Sequence, residues 1–319
     1  MGKERRETKT ILVVSIIVVV ALLFIGQTYI RFSCAMHGVQ KRLLSGSRII
    51  ETTSGPIEYA VVGQGFPVLM LHGAGGGYDH GLLMLEVWVG DGFQWIAVSR
   101  FGYLRTALPA DASPSAQADA CAELLDSLNI ERVAVIGASA GGPPSLQFSL
   151  RHPDRCAALV MIAALSKSRP LLSSSEKNAF RTIFGSDFIY WFIVSNFRAQ
   201  LYTAFGIPKE TQAELTKAQR DSIDIFLQYM HPVSLRQAGI FNDIADHAFE
   251  CPLHQITTPT LVIHAVDDPL VPFNIGEYTA TSIPGAKLVA LERGGHMLVG
   301  QNAKVKAEIV DFLQQHIQQ

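Results

Sequence analysis

Hydrophobic positions fall into two regimes along this chain. From Thr10 to Ile30 the segment "TILVVSIIVVVALLFIGQTYI" runs 21 residues without a charge. As a helix at ~1.5 Å per residue it spans ~30 Å, one bilayer core. Beyond residue 47 the apolar residues come instead in short runs. "RIIETT" and "IEYAVVG" are β-branched stretches divided by "SGP", a hairpin signal. "PVLMLHG", "FQWIAVS", "RVAVIG", "CAALVMIA", "TLVIHA" and "AKLVALE" are nearly continuous apolar runs, the pattern of strands buried on both faces. Between most of them lie helical stretches, at 115–128, 142–151, 274–282 and 302–316. Such alternation predicts an α/β fold with a mostly parallel central sheet and helices on both faces.

One segment departs from the alternation. Residues 165–250 contain no good strand and read as several helices, broken near Gly185, Gly206, Pro208 and Pro232. That length exceeds a loop and predicts a helical cap over one edge of the sheet. Residues 180–205 hold nine aromatics in 26 positions, whereas aromatics are 9% of the chain. They serve either to hold the cap together, to touch a bilayer surface or to line an apolar pocket. The predicted organisation is a basic tail (1–9), a transmembrane anchor (10–30), a polar stalk (31–47) and a body (48–317) carrying the cap.

Composition refines this picture. Charged residues are 17%, below the ~25% of soluble domains, as a membrane segment would cause. A net charge of −2 without a basic run in the body argues against nucleic acid as a partner. Cys34, Cys121, Cys156 and Cys251 are widely spaced, without a C-x-x-C, and read as separate buried thiols, so neither a metal nor a redox site is expected. The strictly apolar part, Ile11–Gly26, exceeds the ~7–15 residues of a signal peptide. An uncleaved single-pass anchor is therefore favoured over secretion after cleavage. Lys3, Arg5, Arg6 and Lys9 crowd the near side of the segment, whereas Arg31, Lys41, Arg42 and Arg48 spread along the far side. The positive-inside rule leans toward a cytoplasmic N-terminus and an exoplasmic or periplasmic body.

The chemistry centres on "GASAG", residues 137–141. A strand runs into it and a helix leaves it, with Pro143 and Pro144 at the helix start, where missing amides cost nothing. Strand, tight glycine turn and helix make a nucleophile elbow with Ser139 at its tip. A serine needs a base, and the base an orienting acid. His296, in the glycine turn "ERGGHMLVG" after the last strand, is the expected base. Asp268 is the preferred acid because a proline-initiated turn follows it; Asp267 is the fallback, and Asp243 and Asp246 are outsiders. Amides of Ala74, in "HGAGGG", and Ala140 are the expected oxyanion donors, with His72 a structural residue of that loop.

With "LHGAGGG", "SRFGY", "GASAG", "DDPLVP" and "GGHM" in this order, the chain resembles the α/β-hydrolase fold superfamily over roughly residues 48–317. The resemblance implies that the aspartate of the D-x-x-V-P segment, Asp268, is the acid. It also implies a cofactor-free serine hydrolase. Serine at the elbow speaks against the epoxide hydrolase and haloalkane dehalogenase branches. Two departures stand out: Ala265 occupies a common glycine position, and the glycine-rich loop runs into "YDHG" rather than ending in proline. The latter leaves the second oxyanion donor open between Ala74 and Gly75. The expected reaction is hydrolysis of a small hydrophobic ester or related carbonyl through an acyl-enzyme. Alternatives within the fold are carbon–carbon bond hydrolysis, needing a cation such as Arg100 or Arg181 for the substrate acid, and acyltransferase or haloperoxidase chemistry. From another class, the alternative is a ligand-binding protein with a weak triad.

Overall fold

The computed structural model describes residues 2–44, 46–168, 173–245 and 249–317. It divides into an N-terminal helical unit and a body beginning at Gly46. The first unit is one unbroken helix, α1 (Gly2–Leu44). Residues 2–9 of the expected basic tail and 31–44 of the expected polar stalk are therefore helical continuations of the apolar segment. Its apolar side chains from Ile11 to Ile25 are exposed. A helix that is apolar all round finds a suitable environment inside a membrane or a large core. Thr8–Leu43 is long and apolar enough to cross a bilayer, a property that signal sequences share.

An eight-stranded sheet forms the body, in the order β1-β2-β4-β3-β5-β6-β7-β8. Its strands are β1 (Arg48–Thr52), β2 (Gly55–Gly63), β3 (Phe66–Leu71), β4 (Phe93–Val98), β5 (Val133–Ala138), β6 (Cys156–Ile162), β7 (Thr260–Ala265) and β8 (Lys287–Leu291). β1 and β2 form the antiparallel hairpin, and β2 pairs antiparallel with β4. All further pairings are parallel. β5 and β6 are buried at every position, which is why they read as unbroken apolar runs.

Helices cover both faces. α3 (Pro114–Ser127) starts where Ser113 accepts from the Ala116 amide and Pro114 pre-sets the first turn. With α4 (Gly142–Arg151) it buries Cys121, Leu124, Leu125, Leu146 and Phe148 against one face, beside Leu69, Leu71, Ile96 and Val98. α2 (Tyr78–Trp88) lies on the opposite face, its Gly81 against Ala97 and Met70. Hydrophobic periodicity does not reveal this helix. It starts directly from the glycine-rich loop at Gly77, with no side-chain cap to announce it. α11 (Phe273–Ser282) and the C-terminal α12 (Asn302–His316) complete the layers.

Between β6 and β7 the described residues form six helices. They are α5 (Ser174–Phe184), α6 (Asp187–Asn196), α7 (Arg198–Ala204), α8 (Lys209–Glu214), α9 (Lys217–Tyr229) and α10 (Gln237–Asp243). Capping boxes at Ser173/Glu176 and Thr216/Gln219 start α5 and α9. Phe184, Tyr190 and Tyr202 pack with Ile223, Leu227 and Met230 into a core of the cap's own. This core reaches Tyr103, Met297 and Val299 of the loops beneath, so part of the aromatic cluster serves packing.

Three of the four thiols meet the expectation of burial only partly or fully, and one does not. Cys121 and Cys156 are buried, and burial pushes their thiols up to about 12; Cys251 is half-buried and Cys34 is exposed on α1.

A fully buried guanidinium joins cap and sheet layer. Arg236, just before α10, donates from Nη1 to the Gly76 carbonyl at 2.6 Å and from Nη2 to Asp79 Oδ2 at 2.9 Å. Replacing Arg236 by Met removes the counter-ion of a buried carboxylate. We expect a loss of about 3 kcal/mol or more of unfolding free energy in urea titrations. The double variant Arg236→Met/Asp79→Leu is expected to recover part of that loss.

Candidate active site

The crevice for a site follows from strand order. The chain runs from β3 out to β4 and then returns across β3 to β5, so β3 and β5 flank a topological switch point. The loops leaving their carboxyl ends are "HGAGGG" and "GASAG".

Ser139 opens a single 3₁₀ turn (Ser139–Gly141) between β5 and α4 and holds φ at 49°, a left-handed value that costs a non-glycine residue energy. Neighbouring chain holds it there: the Ser139 carbonyl accepts from the Leu165 amide at 3.0 Å. Gly141 is needed because a Cβ there would stand 2.0 Å from the Leu71 carbonyl oxygen.

His296 reaches the elbow from the turn after β8. Ser139 Oγ lies 3.0 Å from its Nε2, and its Nδ1 lies 2.8 Å from Asp268 Oδ2. A carboxylate only accepts, so Nδ1 carries the proton and Nε2 is free to accept from the serine. The His296 amide donates to the Gly206 carbonyl of the cap at 2.9 Å. Gly206 lies directly over the histidine at φ 73°, and a Cβ there would come 2.6 Å from His296 Cβ. Nothing in the pattern singled this glycine out beyond a helix break.

The paired aspartates divide their work. Asp268 Oδ1 accepts from the amides of Leu270 and Val271 at 2.8 and 2.9 Å. Burial by itself would push its carboxyl up. Hydrogen bonds from His264, His296 and the Val271 amide outweigh burial and hold it well below the usual carboxylate range. Asp267 instead accepts from Gly294 and Gly295 at 3.2 and 2.8 Å, pinning the turn that carries His296. The imidazole Nδ1 itself faces Asp268. Asp243 is committed elsewhere, receiving both Arg100 Nη atoms (2.9 and 2.5 Å) and the Tyr103 hydroxyl (2.5 Å). Asp246 lies outside the described residues.

The β3 loop lies against the serine: a Cβ on Gly73 would stand 3.1 Å from Ser139 Cβ. His72 is buried and structural; its Nδ1 donates to the Gly73 carbonyl at 2.7 Å and its Nε2 accepts from the Arg100 amide at 3.1 Å. Burial and the Arg100 charge hold its pKa well below the ordinary histidine value. The Gly75 amide is taken by the Tyr103 hydroxyl at 3.4 Å. Ala74 is exposed and Ala140 half-buried, each one residue along from an element of the site. Arg100 is enclosed between Asp243, the His72 carbonyl and the Tyr103 ring, and Arg181 is exposed on α5. The Arg100 guanidinium is thus committed to protein partners. Among the described residues no group of three His, Cys, Asp or Glu side chains could hold a metal ion.

A serine on a strained strand-to-helix turn, with imidazole and carboxylate in line, is the arrangement of the α/β-hydrolase class. The chain matches the model of the Alpha/beta hydrolase family over residues 68–308 and belongs to that family. Among its relatives is the uncharacterized hydrolase YcgS of Bacillus subtilis, 28% identical, covering 82% of this chain and 97% of YcgS. Another is the 2-hydroxy-6-oxononadienedioate/2-hydroxy-6-oxononatrienedioate hydrolase of Cupriavidus pinatubonensis. It is 27% identical, covering 84% of this chain and 95% of that enzyme. Among solved structures, an alpha/beta hydrolase fold protein from Nakamurella multipartita superposes with a TM-score of 0.70. It is 29% identical, covering 84% of this chain and 99% of that one.

Two outcomes are expected. Gly206→Ala should displace His296 and lower any Ser139-dependent activity at least tenfold with a smaller effect on melting temperature, read by a rate assay beside calorimetry. For Asp268 the folded pKa lies below the unfolded one. Its ionisation therefore stabilises the fold fully above about pH 4, and this stability is lost as pH falls toward the depressed folded value. Asp268→Asn is expected to flatten that acid limb in melting temperature measured against pH.

Proposed function

We propose that the protein is a serine hydrolase that cleaves a small hydrophobic carboxylic ester, or a related carbonyl, through an acyl-enzyme. The observation carrying this reading is the continuous line Ser139 Oγ, His296, Asp268, with links of 3.0 and 2.8 Å. Ser139 Oγ attacks the carbonyl carbon while its proton passes to His296 Nε2. Asp268 orients the imidazole and stabilises the imidazolium. The amides of Ala140 and Ala74 receive the oxyanion; the occupation of the Gly75 amide by Tyr103 favours Ala74. Collapse breaks the ester C–O bond, and the leaving oxygen takes the proton from His296. Water then attacks the acyl carbon, giving its proton to His296 and finally restoring Ser139. No bound metal or cofactor is required by these steps.

An apolar substrate is supported by the cap core, which reaches the loops beside His296 through Met297 and Val299. Similarity to the Cupriavidus enzyme favours a second reading, carbon–carbon bond hydrolysis of a keto acid. Against it stands the commitment of Arg100 to Asp243. We further propose that α1 anchors the chain in a membrane, with the body on the exoplasmic or periplasmic side.

The test is labelling by a fluorophosphonate probe beside an ester panel of varied acyl length. Wild type should label and turn over apolar esters, and Ser139→Ala should do neither. His296→Ala should lower turnover by about 10⁴-fold or more. Labelling that survives Ser139→Ala would sink the reading, and a labelled enzyme inert on every ester would move it to carbon–carbon hydrolysis.

A further inference from the structure

One buried polar side chain beside the triad has no part in the steps above. His264, at the end of β7, is fully buried. Its Nε2 lies 2.8 Å from the Val271 carbonyl oxygen and 3.3 Å from Asp268 Oδ2. Both neighbours only accept, so Nε2 carries the proton and shares it between them. Its Nδ1 is buried without a hydrogen-bond partner among the described residues. Gly276 of α11 closes that edge, since a Cβ there would stand 2.7 Å from Nδ1. The Phe273 ring meets the imidazole edge-on at 6.0 Å.

We infer that His264 is a positioning residue for the triad, holding the Asp268 carboxylate and drawing part of its charge away from His296. The inference rests on the serine-hydrolase reading. Oδ2 receives two imidazole donors, His264 and His296, whereas Oδ1 receives two amides. The Val271 residue both donates to Asp268 and accepts from His264, so one ring locks the 268–271 turn from two sides. Facing His264 from the other elements are Gly276 and Phe273 of α11 and Ala290, its register partner on β8. Among the described residues, the titratable groups in this contact set are Asp268 and, across its carboxylate, His296. A donor on the carboxylate weakens the pull that carboxylate exerts on the neighbouring imidazolium. Removing that donor therefore strengthens the pull, and the base must be deprotonated at higher pH.

The experiment is the rate of fluorophosphonate labelling of the full chain against pH, for wild type, His264→Gln, His264→Asn and His264→Phe. Melting temperatures accompany each variant. The acid limb of the Asn and Phe variants should move up by about half a pH unit or more, a shift of the size one lost charge-assisted hydrogen bond can produce. His264→Gln, whose side-chain amide reaches the position of Nε2, should keep the wild-type limb. If Phe fails to fold, Asn against Gln carries the comparison. An unmoved limb in Asn, whatever the melting temperature, overturns the inference and leaves His264 structural. A wild type that labels at no pH overturns the serine-hydrolase reading itself, which separates the two failures.

Discussion

A buried carboxylate must be met by donors, and the Asp268 carboxylate organises this molecule. A charge at 5% exposure is costly unless each oxygen is satisfied. Here two amides and two imidazoles meet it. Those donors come from the turn after β7, from β7 itself and from the turn after β8. Satisfying one charge thus joins the ends of two strands and sets the imidazole that faces Ser139. The stability of the carboxylate and the geometry of the site are the same set of hydrogen bonds.

The second constraint is close approach around the serine. Gly141 lets the elbow pass over the β3 backbone, and the Leu165 amide holds the strained Ser139 from the side. Strain of this kind persists only when surrounding packing over-determines it. The cap adds its own grip: Gly206 lies on His296, and Arg236 holds the Gly76 carbonyl of the β3 loop. Cap, loop and triad are consequently coupled through backbone contacts rather than through long side chains alone. Arg236 and Asp79 cross from cap to α2, so the cap cannot shift without disturbing a buried ion pair.

Much of this was legible in the chain itself. Buried parallel strands need no polar alternation, so β3 to β7 announced themselves as apolar runs. The elbow was legible because a strained turn demands small residues around the serine and prolines at the helix start. His296 stood out by its glycine turn. α2 is not legible there, since a helix that begins from glycines without a capping side chain carries no local start signal. His264 was hidden for a related reason: a histidine within an apolar strand reads as core, and its value lies four residues ahead, at Asp268.

What the sequence determined by itself is therefore the set of chemical types and their order: an α/β sheet with a helical insertion, an apolar N-terminal helix, and serine, aspartate and histidine following one another. These depend on local periodicity and on turn chemistry, which neighbouring residues encode. Only the tertiary structure decided how the two adjacent aspartates share their tasks. One faces the imidazole at 2.8 Å, and the other clamps the glycines beneath it. It also decided that Arg100 is spent on Asp243, and that a cap glycine and a strand histidine border the site. Such assignments turn on ångström distances between segments far apart in the chain, and no local pattern specifies them.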